Sequence, residues 1–165
     1  MISKKICMIG AFAVGKTSLV EQYVRSIFSN RYLSTVGVKI SKKTCRAAGQ
    51  DVNLMLWDME GKGEHNEVNT SYLRGTMGFL LVADGTRKDT LSTALLIRQR
   101  VLDAVGNIPH CLLLNKSDLR SDWQVTEEAV AHLELQGLQV LKTSAKTGEG
   151  VEDAFMRLAE AIVLA

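Results

Sequence analysis

Proline is nearly absent: Pro109 is the only one in 165 residues. No Pro/Ser/Gly-rich linker, internal repeat or low-complexity stretch divides the chain. Residues 1–165 therefore read as one domain of ordinary size, long enough to bury a full core. Cysteine is sparse too. Cys7, Cys45 and Cys111 are isolated from one another. An odd count without metal-ligand spacing suggests a reducing, intracellular compartment. Cys7 and Cys111 lie in apolar runs and read as small buried hydrophobes. No apolar run approaches the roughly 18 residues a membrane span needs. The first residues do not read as a signal peptide, so none is expected, and Ile2 stands where myristoylation needs glycine. The last residues, Ala161 to Ala165, hold no cysteine for a prenyl group. The expected location is cytoplasmic, with membrane contact only through a partner or a further tail. Excess charge is also missing. A net charge of +2 gives no case for nucleic acid. Nothing in the pattern asks for a second copy, so a monomer is expected.

What the chain does have lies near its start. Gly10-Ala11-Phe12-Ala13-Val14-Gly15-Lys16-Thr17-Ser18 fits G-x-x-x-x-G-K-[ST]. Such a loop turns backbone N–H groups toward an anion, and the helix after it adds its positive dipole end. The pattern requires a strand before and a helix after. Lys5 to Ile9 is a short, mostly apolar run and reads as a buried strand. Leu19, Val20, Tyr23, Val24 and Ile27 recur at helical spacing. Lys16 would reach the β- and γ-phosphates of a nucleotide. Thr17 would offer a hydroxyl to Mg²⁺, a hard cation that prefers oxygen.

Further along, 28–37 has no clear period and reads as a loop. Val38 to Arg46 predicts an exposed edge strand, with lysines at 39, 42 and 43 that discourage pairing with another chain. After the turn at 48–51, Val52 to Trp57 predicts its antiparallel partner. The polar stretch to Arg74 reads as part loop, part short helix. Met77 to Ala83 is a continuous apolar run, as in a strand buried on both faces. Leu91, Ala94, Leu95, Val101, Leu102 and Val105 form a helical stripe closed by Gly106. Cys111 to Leu114 predicts another buried strand. Thr126 reads as a helix start and Gly137 as its stop. Leu138 to Leu141 predicts a last strand, and Val151 to Ile162 a final amphipathic helix. Strands alternating with helices imply α/β architecture: a six-stranded, mostly parallel sheet with one antiparallel edge strand, about five helices, and helices on both faces. Ligands bind such sheets beyond the carboxyl ends of the strands. The loop at 10–17, Asp58 and Asn115 all follow predicted strand ends, so they should converge on one edge.

Together these features resemble a small GTPase of the Ras superfamily, from about Ser3 to Leu164. The motifs come in the family's order: the phosphate loop at 10–17, Thr35 of switch I, D-x-x-G at 58–61, N-K-x-D at 115–118 and T-S-A-K at 143–146. Thr35-Val36-Gly37-Val38, and Tyr72 through Asp84, look most like the Rab branch. The resemblance implies a three-layer P-loop NTPase fold. It implies a GTP/GDP site built from Ala13, Val14, Gly15, Lys16, Thr17, Ser18, Phe28, Thr35, Gly61, Asn115, Lys116, Asp118, Ser144, Ala145 and Lys146. Asp118 would accept hydrogen bonds from N1–H and the exocyclic amine of guanine, a donor pair that adenine lacks. Lys116 would lay its stem along the base, Phe28 would pack against it, and the Ala145 N–H would bind O6. Mg²⁺ would be held by Thr17, Thr35 and, through a water, Asp58. Thr35 and Gly61 would also contact the γ-phosphate, so that its loss releases both segments. The partners implied are effectors, through 30–40 and 61–75, and exchange-factor and activating proteins.

Three positions depart from the family. Lys62 replaces the glutamine that orients the attacking water, and lysine has no acceptor for a water proton. Phe12 puts a bulky ring where Ras-type members have glycine. Glu60 adds negative charge near the γ-phosphate. The catalytic set is thus Lys16, Thr35, Gly61 and Lys62, and hydrolysis is expected to be slow. Two readings follow: a GTP-dependent switch that hydrolyses slowly, or a GTP-bound interaction module acting as a constitutive scaffold. A phosphotransferase with the same loop leaves N-K-x-D and T-S-A-K unexplained.

Overall fold

The computed structural model describes residues 1–29, 37–59 and 68–165. Among them the elements run β1 (Ile2–Gly10), α1 (Lys16–Arg25), β2 (Val38–Ala47), β3 (Gln50–Met59), β4 (Gly78–Asp84), α2 (Lys88–Val105), β5 (His110–Asn115), α3 (Glu127–Leu135), β6 (Val140–Lys142) and α4 (Val151–Leu164). Short 3₁₀ turns occupy Thr70–Leu73 and Arg120–Asp122. The six strands form one sheet in the order β2-β3-β1-β4-β5-β6. Among the described residues, only β2 and β3 pair antiparallel; β1 runs parallel to both β3 and β4, and β5 to β4 and β6.

Alternation along the central strands creates two cores. Ile6, Met8, Leu80, Val82 and Leu113 face α1 and α4, where Leu19, Tyr23, Phe155 and Ile162 complete the packing. Cys7, Ile9, Phe79, Leu81, Leu112 and Leu114 face the other way, onto Ala94, Ile97 and Val101 of α2 and Val130 and Leu133 of α3. Each central strand is therefore apolar on both sides, as its continuous run predicts. Cys7 and Cys111 are buried as free thiols.

Several boundaries differ from the sequence expectation. β1 begins at Ile2 rather than Lys5, because Ile2, Ser3 and Lys4 find ladder partners in Val52, Asn53 and Leu54. α1 stops at Arg25: Ser26 takes a left-handed conformation (φ 55°), so Ile27 lies past the helix and is exposed. Four α-helices are present among the described residues, against about five expected. The described end of the polar stretch before Arg74 forms only the turn Thr70–Leu73. Thr126 caps α3 as predicted, its side chain accepting from the Ala129 N–H. In α2 the buried stripe includes Ile97, which the expected set omits, and in α4 Ala161 faces solvent. Among the described residues, no helix is long and apolar enough to cross a membrane.

Candidate functional site

β1 ends at Gly10, whose backbone lies close to β4: a Cβ there would stand 2.3 Å from the Val82 carbonyl oxygen. The chain then turns back into α1 within a few residues. Ala13 (φ 61°) and Gly15 (φ 102°) take left-handed conformations to make that turn. At Gly15 a Cβ would meet Asn115 Nδ2 at 2.3 Å, so glycine there answers both a backbone and a packing demand.

Side chains hold the carbonyl groups of this loop one after another. Lys16 Nζ donates to the Gly10 and Ala11 oxygens at 2.9 Å each. Arg87 Nη2 donates to Phe12 O (3.1 Å) and Ala13 O (3.0 Å). Lys116 Nζ also donates to Ala13 O, at 3.2 Å, and Asn115 Nδ2 to Val14 O, at 3.0 Å. In a trans peptide the N–H points opposite to the C=O. Tying carbonyls down on one side of a loop therefore turns N–H groups to the other, the arrangement an anion needs. Lys16 itself is buried, and burial lowers its pKa to about 8 despite the opposing influence of Asp58.

Asp58, near the end of β3, is 1% exposed. Its Oδ2 accepts a hydrogen bond from the Thr17 hydroxyl at 2.6 Å. This joins the start of α1 to the end of β3 through two hard oxygen donors. Mg²⁺ is commonly held by one or two carboxylates, waters and substrate phosphates rather than by an all-protein cage. The donor chemistry at Thr17 and Asp58 fits such an ion beside an anion-binding loop.

The other half of the site comes from β5 and the segment after β6. Asn115 is 2% exposed, and its Oδ1 accepts from Thr143 Oγ1 at 3.2 Å. Asp118 Oδ1 accepts from Ser144 Oγ at 2.7 Å. That serine is fixed in turn, since its Oγ accepts from the Thr147 N–H and its N–H donates to Glu149 O. Ala145 is buried, and its carbonyl accepts from Gln22 Nε2 of α1 at 2.7 Å. Lys146 is exposed, and Phe28, past the end of α1, is 39% exposed. Phe12 stands out from the loop, 48% exposed. Thr35, Glu60, Gly61 and Lys62 lie outside the described residues.

Sequence reasoning missed the hub between the two halves. Asp84, the last residue of β4, has a side chain only 2% exposed. Its Oδ2 meets Lys116 Nζ at 2.8 Å and Arg87 Nε at 3.0 Å. Its Oδ1 accepts from the N–H and hydroxyl of Thr86. Burial alone would raise the Asp84 pKa; the hydrogen bonds from Lys116, Thr86 and Arg87 outweigh it and hold the carboxyl below its usual range. One signal was available, an acidic residue closing an apolar strand at the ligand-binding edge of a parallel sheet.

A family model described as "Ras family" matches residues 5–164. The chain is similar to the Ras-related protein Rab-4A of Rattus norvegicus, 38% identical over 162 residues that cover 96% of this chain and 74% of the relative. It is also similar to Rab-13 of Canis lupus familiaris, 32% identical over 162 residues (97% and 80%), and to Rab-8B of Homo sapiens, 32% identical over 161 residues (96% and 78%).

Proposed function

We propose, because the chain belongs to the Ras family of small GTPases and is Rab-like within it, that it is a guanine-nucleotide switch whose hydrolytic step is slow. The observation that carries this reading is the direct hydrogen bond from Asn115, at the head of N-K-x-D, to Val14 in the phosphate loop. In this reading that bond ties the base-recognition segment to the phosphate loop.

The parts take the following roles. The loop from Ala13 to Ser18 presents N–H groups to the phosphates. Lys16 supplies a buried cation to the β- and γ-phosphates. Asp118, oriented by Ser144, reads the guanine edge, Lys116 and Phe28 flank the ring, and the backbone of Ala145 and Lys146 closes the pocket. Thr17, Thr35 and Asp58 would hold Mg²⁺, which supplies charge neutralisation for the transferring phosphoryl group. Thr35 and Gly61 sense the γ-phosphate. Their segments are the natural contact for effector, exchange-factor and activating proteins. Residues 1–165 act as one domain, as a monomer.

Slow cleavage follows from Lys62 and Phe12. Members of this class hydrolyse GTP alone on the order of 10⁻⁴ s⁻¹ and gain up to about 10⁵-fold from an activating protein. A lysine ammonium has no acceptor for a hydrogen bond from the attacking water and so cannot orient it as a glutamine does. Phe12 is half-exposed, and in this reading its ring obstructs the arginine that an activating partner would supply.

Two measurements test the proposal. Nucleotide released from the denatured, purified protein should be guanine nucleotide; adenine nucleotide would overturn the base assignment. In single-turnover cleavage, Lys62→Gln should be faster than wild type by about tenfold or more, since it restores a water-orienting amide. A fast wild type slowed by the glutamine would overturn the slow-hydrolysis reading. The scaffold alternative rests on the same Lys62 and Phe12. It predicts equal partner binding with GDP and with a non-hydrolysable GTP analogue, whereas a switch binds preferentially with the analogue.

A further inference from the structure

Arg87 is absent from every motif of the site, yet it closes a ring of contacts around the phosphate loop. Its Nε reaches Asp84 Oδ2 at 3.0 Å, and its Nη2 reaches Phe12 O and Ala13 O at 3.1 and 3.0 Å. Lys116 completes the circuit, from Asp84 Oδ2 at 2.8 Å to the same Ala13 carbonyl at 3.2 Å. A guanidinium suits this task because its planar fork directs several N–H groups at once, whereas an ammonium acts as a point charge. The turn that carries Arg87 is itself seated. Gly85 N–H donates to Asn115 O (3.0 Å), Gln124 N–H to Gly85 O (2.8 Å), and Lys88 N–H to Gln124 Oε1 (2.9 Å). The Trp123 ring lies so close over Gly85 that a Cβ there would fall 2.0 Å from it.

From this geometry we infer that Arg87 is a positioning residue for nucleotide retention: with buried Asp84 as its anchor, it holds the Phe12 and Ala13 carbonyls outward and so presets the N–H groups that meet the diphosphate. Ala13 needs such help, since a non-glycine residue at φ 61° is strained. The inference rests on the guanine-nucleotide reading above. It extends that reading by giving the β4–α2 turn a share in how long the nucleotide stays.

The test compares wild type, Arg87→Ala and Arg87→Lys, each loaded with a fluorescent GDP, by dissociation rate and by the ³¹P resonance of the bound β-phosphate. The Arg87 side chain is 41% exposed, so its truncation leaves the core intact. Losing charge-assisted hydrogen bonds to the loop should speed release about tenfold in Arg87→Ala, with a displaced β-phosphorus signal. Arg87→Lys, which keeps the charge without the fork, should fall between, at about threefold. Release from Arg87→Ala at the wild-type rate would overturn the inference. So would faster release with the β resonance unmoved, because that is the mark of general loosening. A wild type that retains no guanine nucleotide would instead overturn the functional reading, and the clamp with it.

Discussion

Asp118→Ala is expected to erase the preference for guanine over adenine. A site built to hydrogen-bond a ligand rejects an analogue lacking those groups by about 10⁴–10⁵, because its own polar atoms are then left unpaired. Asp118 has the supports for such discrimination. It follows β5 by three positions, and Ser144 Oγ fixes one carboxylate oxygen at 2.7 Å. Ser144 is held by the tight turn through Thr147 to Glu149. Alanine removes the acceptors but leaves the Asn115–Val14 bond and the loop contacts in place. Phosphate binding should persist weakly while base discrimination falls to within about tenfold. Competition between GDP and ADP for the purified variant measures this. A variant that still prefers GDP by about a thousandfold or more would remove Asp118 from the base site.

Gly15→Ala should speed nucleotide release sharply by adding a single methyl group. The new Cβ meets Asn115 Nδ2 at 2.3 Å, and the backbone is held at φ 102°, where L-residues are strained. Asn115 must then yield its bonds to Val14 and Thr143, and the two halves of the site separate. Strain of about 1–3 kcal/mol, with the lost hydrogen bonds, corresponds to nucleotide release at least about a hundredfold faster. Gly49→Ala supplies the comparison. Gly49 also has positive φ, 78°, but a Cβ there meets nothing within 4 Å. It should cost some stability and leave nucleotide release unchanged. Dissociation of a fluorescent GDP separates the two, and a Gly15→Ala rate within about threefold of wild type would refute the steric argument.

Much of the fold was legible because apolar runs and helical stripes record burial directly. The runs at Met77–Ala83 and Cys111–Leu114 mark β4 and β5, and Thr126 marks the start of α3. The failures have local causes. Lys5 looks like the polar start of a strand, but the strand begins earlier. Lys5 is amphipathic, and its ammonium sits 3.5 Å from the centroid of the Trp57 ring while donating to the Tyr72 and Arg74 carbonyls. Ile27 continues the helical period of α1, but Ser26 ends the helix by a backbone choice that side-chain spacing does not encode. At the site, motif spacing was enough to name candidate nucleotide residues because most of the motifs are compact runs; of those residues Thr35 and Gly61 lie outside the described ones. The Arg87–Phe12 contact spans 75 positions, and the fit of Trp123 over Gly85 joins separate elements. Their pairing appears only once β4 lies between β1 and β5.

The surroundings of the two tryptophans have one more consequence. Trp57 immediately precedes Asp58, and its ring has the Lys5 ammonium over it and the Tyr72 ring 6.4 Å away. Trp123 rests on the turn that carries Arg87, with Lys142 Nζ 5.8 Å from its ring. Indole emission follows local charge and solvent, so each ring acts as a built-in optical probe of its own quarter of the molecule. Trp57 watches the strand end beside Asp58, and Trp123 watches the turn behind the phosphate loop. With either one changed to phenylalanine, the remaining ring gives a label-free spectral record of which end of the site moves first.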